Sequence, residues 1–270
     1  MSLKIGADPE FFLKKNKKFI SGHGLVPGTK DSPHKVKNGA IQVDGMALEL
    51  NITPAKNEKE FIHNINSVLK TLRHMIPENI DFAFEPVARF DKKYFYKQPR
   101  CSLMLGCDPD FNAYTEAINM PPFTNKPIRT AAGHLHLGWG AKLKPTKAHI
   151  HTCSEITKQL DIVLGIPSLL LDNNGERREL YGKAGAFRPK PYGVEYRVLS
   201  NFWLKNEKLM EWAFIHAKIG YDLFLKGEKL FKTFGGVAIN VINNNDVELA
   251  KKLTLGPLSK YIKMDIVYEV

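Results

Sequence analysis

The stretch GHLHLGWG, residues 133–140, sets how the rest of the chain is read. Two histidines alternate with two leucines. On a β-strand successive side chains point to opposite faces, so His134 and His136 would share one face while Leu135 and Leu137 share the other. The same two-residue spacing recurs in three other places: Asp8 and Glu10 in GADPEFF, Glu49 and Asn51 in ALELN, and Glu195 and Arg197 in VEYRVLS. The positions between and beside them are apolar: Phe11 and Leu13, Leu48 and Leu50, and Val194, Tyr196 and Val198.

A solvated face of an antiparallel sheet is polar by default, but it is usually built from Lys, Thr, Ser and Glu. Here the eight positions hold Asp, Glu, Asn, His and Arg, with no lysine. If the four strands are neighbours, carboxylates crowd together, each raising the others' pKa unless a cation neutralises them. Oxygen ligands with an occasional imidazole suit a hard divalent ion. Basic residues stand nearby: Arg129 before the His-x-His strand, and Arg177, Arg178, Lys183 and Arg188 in RRELYGKAGAFRPKPYG before the Glu-x-Arg strand. Arginines together with magnesium are a common means of holding phosphates.

Working outward, residues 3–13 read as a strand, followed by a turn at Lys15-Asn16-Lys17-Lys18, a return strand at 18–21 and a loop over 22–39. A strand covers 41–51. Asn57-Glu58 opens a helix with apolar residues at Phe61, Ile65, Val68, Leu69, Leu72 and Ile76, closed by Pro77. Residues 80–90 read as a strand and 91–132 as mostly irregular. A helix is expected over 146–164, a loop over 172–193, a strand over 193–199, a helix over 206–225 capped by Gly227, and a short helix over 246–254. Strands divided by long irregular stretches favour an α+β domain with a mainly antiparallel sheet.

The 270 residues are 43% hydrophobic and 25% charged, with a net charge of +11 spread along the chain. The scatter speaks against a nucleic-acid arm and suits either a basic surface or an anionic substrate such as a nucleoside triphosphate. No stretch is long and apolar enough to span a membrane. The start MSLKIGADPEFF lacks the regions of a signal peptide, so a cytoplasmic protein is expected. Three cysteines, Cys101, Cys107 and Cys153, show no zinc-type pairing and are read as inert, buried thiols. His149 and His151 are read as surface or packing residues.

In order, DPEFF (8–12), Asp44 with ELNITP (49–54), GHLHLG (133–138) and EYR (195–197) resemble the glutamine synthetase and glutamate–cysteine ligase superfamily. GCDPDFNAYT (106–115) and residues 177–203 are similar to the carboxylate–amine ligases of tailed phages, and the likeness runs over about residues 3–235. It implies an α+β fold with a curved, mainly antiparallel sheet and helices on its convex face. A domain over 1–235 would carry the site, and 236–270 would be an extension packed on it.

The resemblance further implies an ATP-dependent ligase that joins a small-molecule or peptide carboxylate to an amine through an acyl phosphate. ATP and two or three Mg2+ or Mn2+ ions would be bound, in the host cytoplasm if the chain is phage-encoded. Glu10, Glu49 and Asp44 would hold one ion, and Asp8, His134 and Glu195 another. His136, Arg129, Arg177, Arg178 and Lys183 would contact the nucleotide, phosphate or substrate carboxylate. Glu49, Arg197 and Arg188 would be catalytic. Asp8 stands where glutamate is frequent. Asp44 and Glu49 have the wrong parity for one regular strand, which a bulge at Gly45 would restore. A metal-dependent phosphohydrolase or nuclease, or a non-catalytic binding protein of the same fold, would use a similar residue set.

Overall fold

The computed structural model describes residues 2–103, 109–120 and 126–268. Cys107 and part of the 106–115 motif lie outside them. The chain opens with β1 (Lys4–Ala7), β2 (Glu10–Lys15) and β3 (Lys18–Ile20). The expected single strand over 3–13 is broken at Asp8-Pro9. Pro9 has no N–H to give a ladder, and the chain passes there from one sheet to another. The turn between β2 and β3 has Asn16 at φ +50 and Lys17 at φ +63, both in the left-handed region that two-residue hairpins require.

Next come β4 (His34–Val36), β5 (Gly39–Asp44) and β6 (Ala47–Ile52). The strand expected over 41–51 is thus a hairpin, turned at Gly45, whose φ of +58 favours glycine. Asp44 pairs with Ala47 and Gln42 with Glu49, so Asp44 and Glu49 share a face without any bulge. α1 (Glu58–Met75) is capped by the Asn57 side chain and buries Phe61, Ile65, Val68 and Leu72 on one stripe.

Residues 80–90 form two short strands, β7 (Asp81–Ala83) and β8 (Val87–Arg89). The segment expected to be irregular holds α2 (Lys92–Phe95), α3 (Arg100–Leu103), β9 (Asp110–Asn112), β10 (Ile118–Asn119) and β11 (Ile128–Thr130). β12 (Leu135–Gly138) carries the His-x-His stretch. α4 (Lys147–Leu160) continues through a π-helical turn, Asp161–Gly165, into α5 (Ile166–Ser168).

The loop expected over 172–193 contains α6 (Glu176–Leu180) and β13 (Ala186–Lys190), and β13 forms a hairpin with β14 (Gly193–Tyr196). α7 (Glu207–Leu225) has Asn206 as its N-cap and Gly227 at φ +78 beyond its end. α8 (Phe231–Asn243) was not anticipated, since Gly235-Gly236 in its middle argue against a helix. α9 (Val247–Leu255) follows.

Three antiparallel assemblies result. One sheet runs β1-β12-β14-β13-β9-β10, another β3-β2-β6-β5-β4 with β7 on β2, and β8 pairs β11. Leu135, Tyr196 and Phe187 are paired across β12, β14 and β13, all buried, on the side packed by α4. α1 covers β5 and β6, and α7 packs on both α1 and α4. α8 straddles residues 235 and 236, and Val241, Ile242, Leu258 and Ile262 join the same hydrophobic core as the sheets. No helix of the described residues is long and apolar enough to cross a membrane.

Candidate functional site

Strand register lays the site out as rows. Gly6, His136, Glu195 and Arg188 stand side by side on β1, β12, β14 and β13. Asp8, His134 and Arg197 lie two residues along and therefore face the same way. Asp8, His134 and Glu195 each offer one donor atom, and these atoms lie within 4.8 Å of one another. His134 Nδ1 is 3.4 Å from Asp8 Oδ1 and 3.5 Å from Glu195 Oε1. His136 Nε2 is 2.9 Å from Asp8 Oδ1, and its Nδ1 meets the Tyr192 hydroxyl.

This group is rich in compensating charge. Glu195 is buried and pairs with Lys190 at 2.7 Å, with Arg188 at 3.5 Å and with Arg197. Burial and the Asp8 charge push its carboxyl up, but Arg197, His134 and His136 outweigh them and bring it down to about 2. Asp8 is pushed up by burial, yet His136 and His134 hold it well below the usual carboxylate range. Burial, reinforced by Arg197, lowers His134 to about 4, leaving a neutral imidazole whose nitrogen can ligate.

The second group is its electrostatic opposite. Glu10 and Glu49 are directly opposed on β2 and β6, and Asp44 joins them from β5; donor atoms of the three again lie within 4.8 Å of one another. Among the described residues none of these carboxylates forms an ion pair. Burial and then Asp44 raise Glu10 to about 8, although its Oε2 accepts the Ala132 N–H at 2.9 Å. Burial and then Asp8, Glu10 and Asp44 raise Glu49 well above its ordinary value. Burial also raises Asp44, against the pull of Lys30. Three clustered carboxylates with no ion-paired partner among the described residues fit a divalent ion, which would let all three ionise together.

Two clefts flank this face. One, of about 50 Å3, is lined by Glu10, Asp44, Arg129, Arg177 and Arg197, with Phe12 and Met46 as its apolar wall. The other, of about 590 Å3, lies on the far side of His136 and is lined by Lys4, Gly6, Asn51, Gly138, Trp139 and Tyr192. Arg129 donates to Ile128 O at 2.6 Å, also reaches Leu103 O, and lies 4.5 Å from the centre of the Phe95 ring. Arg177 donates to Val198 O at 2.9 Å and is lowered to about 10 by burial, then by Arg178.

Residues 123–228 match the family model described as Phage phiEco32-like COOH.NH2 ligase-type 2. The matched segment carries His134, His136, Arg188, Glu195 and Arg197. Two solved structures are also similar. One, described as "Apo GmaS without ligand", aligns over 97% of this chain at 13% identity with a TM-score of 0.45. The other, described as "Crystal structure of novel glutamine synthase homolog", aligns over 96% at 12% identity with a TM-score of 0.39. The chain spans 66% and 65% of their respective lengths. No curated protein matches the sequence.

Most of the expected residues converge: Asp8, His134, His136, Arg188, Glu195 and Arg197 lie together at the first sheet, Glu10, Asp44 and Glu49 at the second, and Arg129 and Arg177 line the smaller cleft together with Glu10, Asp44, His134 and Arg197. Two do not. Arg178 turns away and donates to Asn245 Oδ1 at 2.8 Å, while the exposed Lys183 lines neither cleft. Helix periodicity explains Arg178, since adjacent residues on α6 cannot face the same way.

Lys190, Tyr192 and Asp110 were missed. Asp110 Oδ2 accepts from Arg197 Nε at 3.0 Å, and Asn119 donates to its Oδ1 at 2.8 Å. Strand spacing from Arg188 would have pointed to Lys190, but reading 172–193 as a loop removed that signal. His149 packs against Trp139 and meets Lys190 O at 2.9 Å, while His151 is exposed. Cys101 is exposed rather than buried. Cys153 is buried 3.6 Å from His149 Nε2, yet burial pushes its thiol up to about 12, which leaves it inert.

Proposed function

We propose that the chain is an ATP-dependent carboxylate–amine ligase working with two divalent cations, Mg2+ or Mn2+, one held by Asp8, His134 and Glu195 and the other by Glu10, Asp44 and Glu49. The observation that carries the reading is the presence, on two neighbouring sheets that meet at Asp8-Pro9, of two three-ligand groups of opposite electrostatic character. A charge-compensated group suits an ion shared with a polyphosphate. A cation-starved trio beside three arginines suits an ion that also meets a carboxylate substrate.

A carboxylate is a poor acyl donor because oxide would have to leave. In the proposed reaction its oxygen attacks the terminal phosphorus and ADP departs. The amine nitrogen then attacks the acyl carbon and loses a proton, and inorganic phosphate is expelled. Bound ATP would supply the phosphoryl group, and the ions would offset the charge that develops on it.

The chain's own residues would do the rest. Arg129 and Arg177, held by backbone carbonyls in the small cleft, would orient the substrate carboxylate. Arg197, fixed by Asp110 and Glu195, would set its positive charge beside the transferred phosphoryl group, with Arg188 alongside. His136 would hold Asp8 toward its ion. Glu49 would hold its ion against the acceptor.

The deciding experiment is incubation with ATP, Mg2+ and a panel of carboxylates and amines. Substrate-dependent release of ADP and phosphate is expected. Release of AMP and pyrophosphate, or cleavage of a phosphoester without ATP, would refute the reading.

A further inference from the structure

Behind the first ion group, on the covered side of its sheet, lies a carboxylate that the proposed reaction does not use. Asp161 is fully buried at the head of the π-helical turn that continues α4. Its Oδ1 accepts from the Tyr196 hydroxyl at 2.8 Å, and its Oδ2 accepts from the Gly185 N–H at 2.7 Å. The Tyr114 hydroxyl faces the same carboxyl. Among the described residues no charged side chain offsets it. Burial raises the carboxyl to about 7, and only the hydrogen bonds from Tyr196, Tyr114 and Gly185 pull the other way. A buried carboxylate without a cation costs stability, so packing gives no reason for it.

Position gives one. The two oxygens serve the two strands of a single hairpin. Tyr196 lies in β14 between Glu195 and Arg197 and points to the opposite face from both. Gly185 immediately precedes β13, which carries Arg188 and Lys190. On the open face the same strands meet in the ion group, where Glu195 pairs with Arg188 at 3.5 Å and with Lys190 at 2.7 Å. The backbone ladder fixes one strand against the other. Asp161 adds a tie from both strands to the helix beneath them.

The surroundings are cut to fit this tie. Gly165 closes the π-helical turn, and a Cβ there would come within 2.9 Å of the Tyr196 hydroxyl oxygen and 2.6 Å of Ile242 Cδ1. Gly185 has φ +78 and is held at both ends, its N–H by Asp161 and its carbonyl by the Ala113 N–H at 2.8 Å. Turns of the π type inside α-helices frequently mark functional sites.

Resting on the two-ion reading above, we propose that Asp161 is a positioning residue for the Asp8, His134 and Glu195 group. It clamps the β13–β14 hairpin to the turn after α4 and so sets where Glu195 stands relative to Asp8 and His134. It touches no ion itself and acts through Tyr196 and Gly185.

The test is Mn2+ binding followed by electron paramagnetic resonance. A Glu49→Gln background leaves the first group to be read alone, and a Glu195→Gln background leaves the second. Asp161→Ala removes both ties and is expected to raise the first-group Kd at least about tenfold, the scale on which residues behind metal ligands act. The second-group Kd should stay within about twofold of the parent. Tyr196→Phe removes one tie and should raise the first-group Kd by a smaller factor. Asp161→Asn is the conservative rescue: its amide oxygen still accepts from Gly185 and its amide nitrogen donates to the Tyr196 oxygen, so the first-group Kd should return close to the parent value. A residue that merely supports the fold would weaken both groups together. Parallel weakening of the two groups, or parent-like first-group affinity in both Asp161→Ala and Tyr196→Phe, would overturn the proposal and leave the two-ion reading standing. Should Asp161→Ala fail to fold, Tyr196→Phe decides by the same split. Failure of the otherwise unaltered protein to bind Mn2+ in the Glu49→Gln background would remove the first ion and this proposal with it.

Discussion

Glu10 and Glu49 stand directly opposite each other on neighbouring antiparallel strands, both drawn away from solvent and both raised in pKa by burial and by their acidic neighbours. Like charges placed opposite each other in a sheet are destabilising. The pair therefore imposes a cost on the empty protein that a bound cation would remove.

Metal removal should expose that cost. At a free ion concentration a hundredfold above Kd, binding contributes about 2.7 kcal/mol of stability. Chelation is expected to lower the Tm by several degrees, and calorimetry with and without EDTA reads it. Glu10→Gln should shrink the EDTA effect and raise the Tm of the metal-free protein. An unchanged Tm on chelation would argue against an ion at this trio.

His136 is expected to act through Asp8. Its Nε2 holds Asp8 Oδ1 at 2.9 Å while Tyr192 fixes the other ring nitrogen. Residues that orient metal ligands typically change metal affinity by roughly 10–100-fold when lost. His136→Leu should weaken one of two Mn2+ sites by that range, with Tyr192→Phe intermediate. Titration calorimetry would show whether the second site stays unchanged, as it should.

Arg197 is held between two carboxylates, Asp110 and Glu195. Arg197→Lys keeps the charge but loses the planar fork, and a drop in kcat of roughly 10²–10³ is expected, as for loss of a transition-state donor. Asp110→Asn should lower kcat less and leave the KM for ATP near the parent value. A pure KM effect in Arg197→Lys would assign that residue to ground-state binding.

The sequence was most legible where chemistry and periodicity coincided. His134 with His136, and Glu195 with Arg197, were readable from two-residue spacing, and their mutual contacts and shared partner Asp8 place them on the same side. Asp44 with Glu49 was ambiguous because they stand an odd five positions apart. A hairpin turn at Gly45 resets parity, and a turn is a three-dimensional fact that spacing alone does not encode. Lys190 and Tyr192 escaped because a glycine- and proline-rich stretch reads as loop, though its prolines fit a hairpin: Pro189 lies in β13 and Pro191 in the turn after it. α8 escaped because its buried Ala238, Val241 and Ile242 outweigh the helix cost of Gly235-Gly236 only once the core is assembled.

The last expectation concerns pH and a histidine that belongs to neither ligand group. His216 on α7 is buried; its Nδ1 lies 2.8 Å from Trp212 O, and its Nε2 accepts the Lys263 N–H at 2.9 Å. That pattern requires a neutral ring protonated at Nδ1, and a second proton on Nε2 would face the donor it now accepts from. Burial lowers the ring to about 4, with the Lys263 charge adding to it against the Trp212 hydrogen bond. An unfolded histidine titrates near 6.5, so above that value the two states bind equal protons and stability does not depend on this group. As pH falls from 6.5 toward 4, the unfolded chain takes up the proton first, and stability should fall by up to roughly 3 kcal/mol. The parent's urea-unfolding free energy should therefore lose more between pH 7 and pH 4.5 than that of His216→Gln, whose amide oxygen can still accept from Lys263. Parallel slopes for the two proteins would show that the ring titrates normally and that the Lys263 contact does not hold the C-terminal segment.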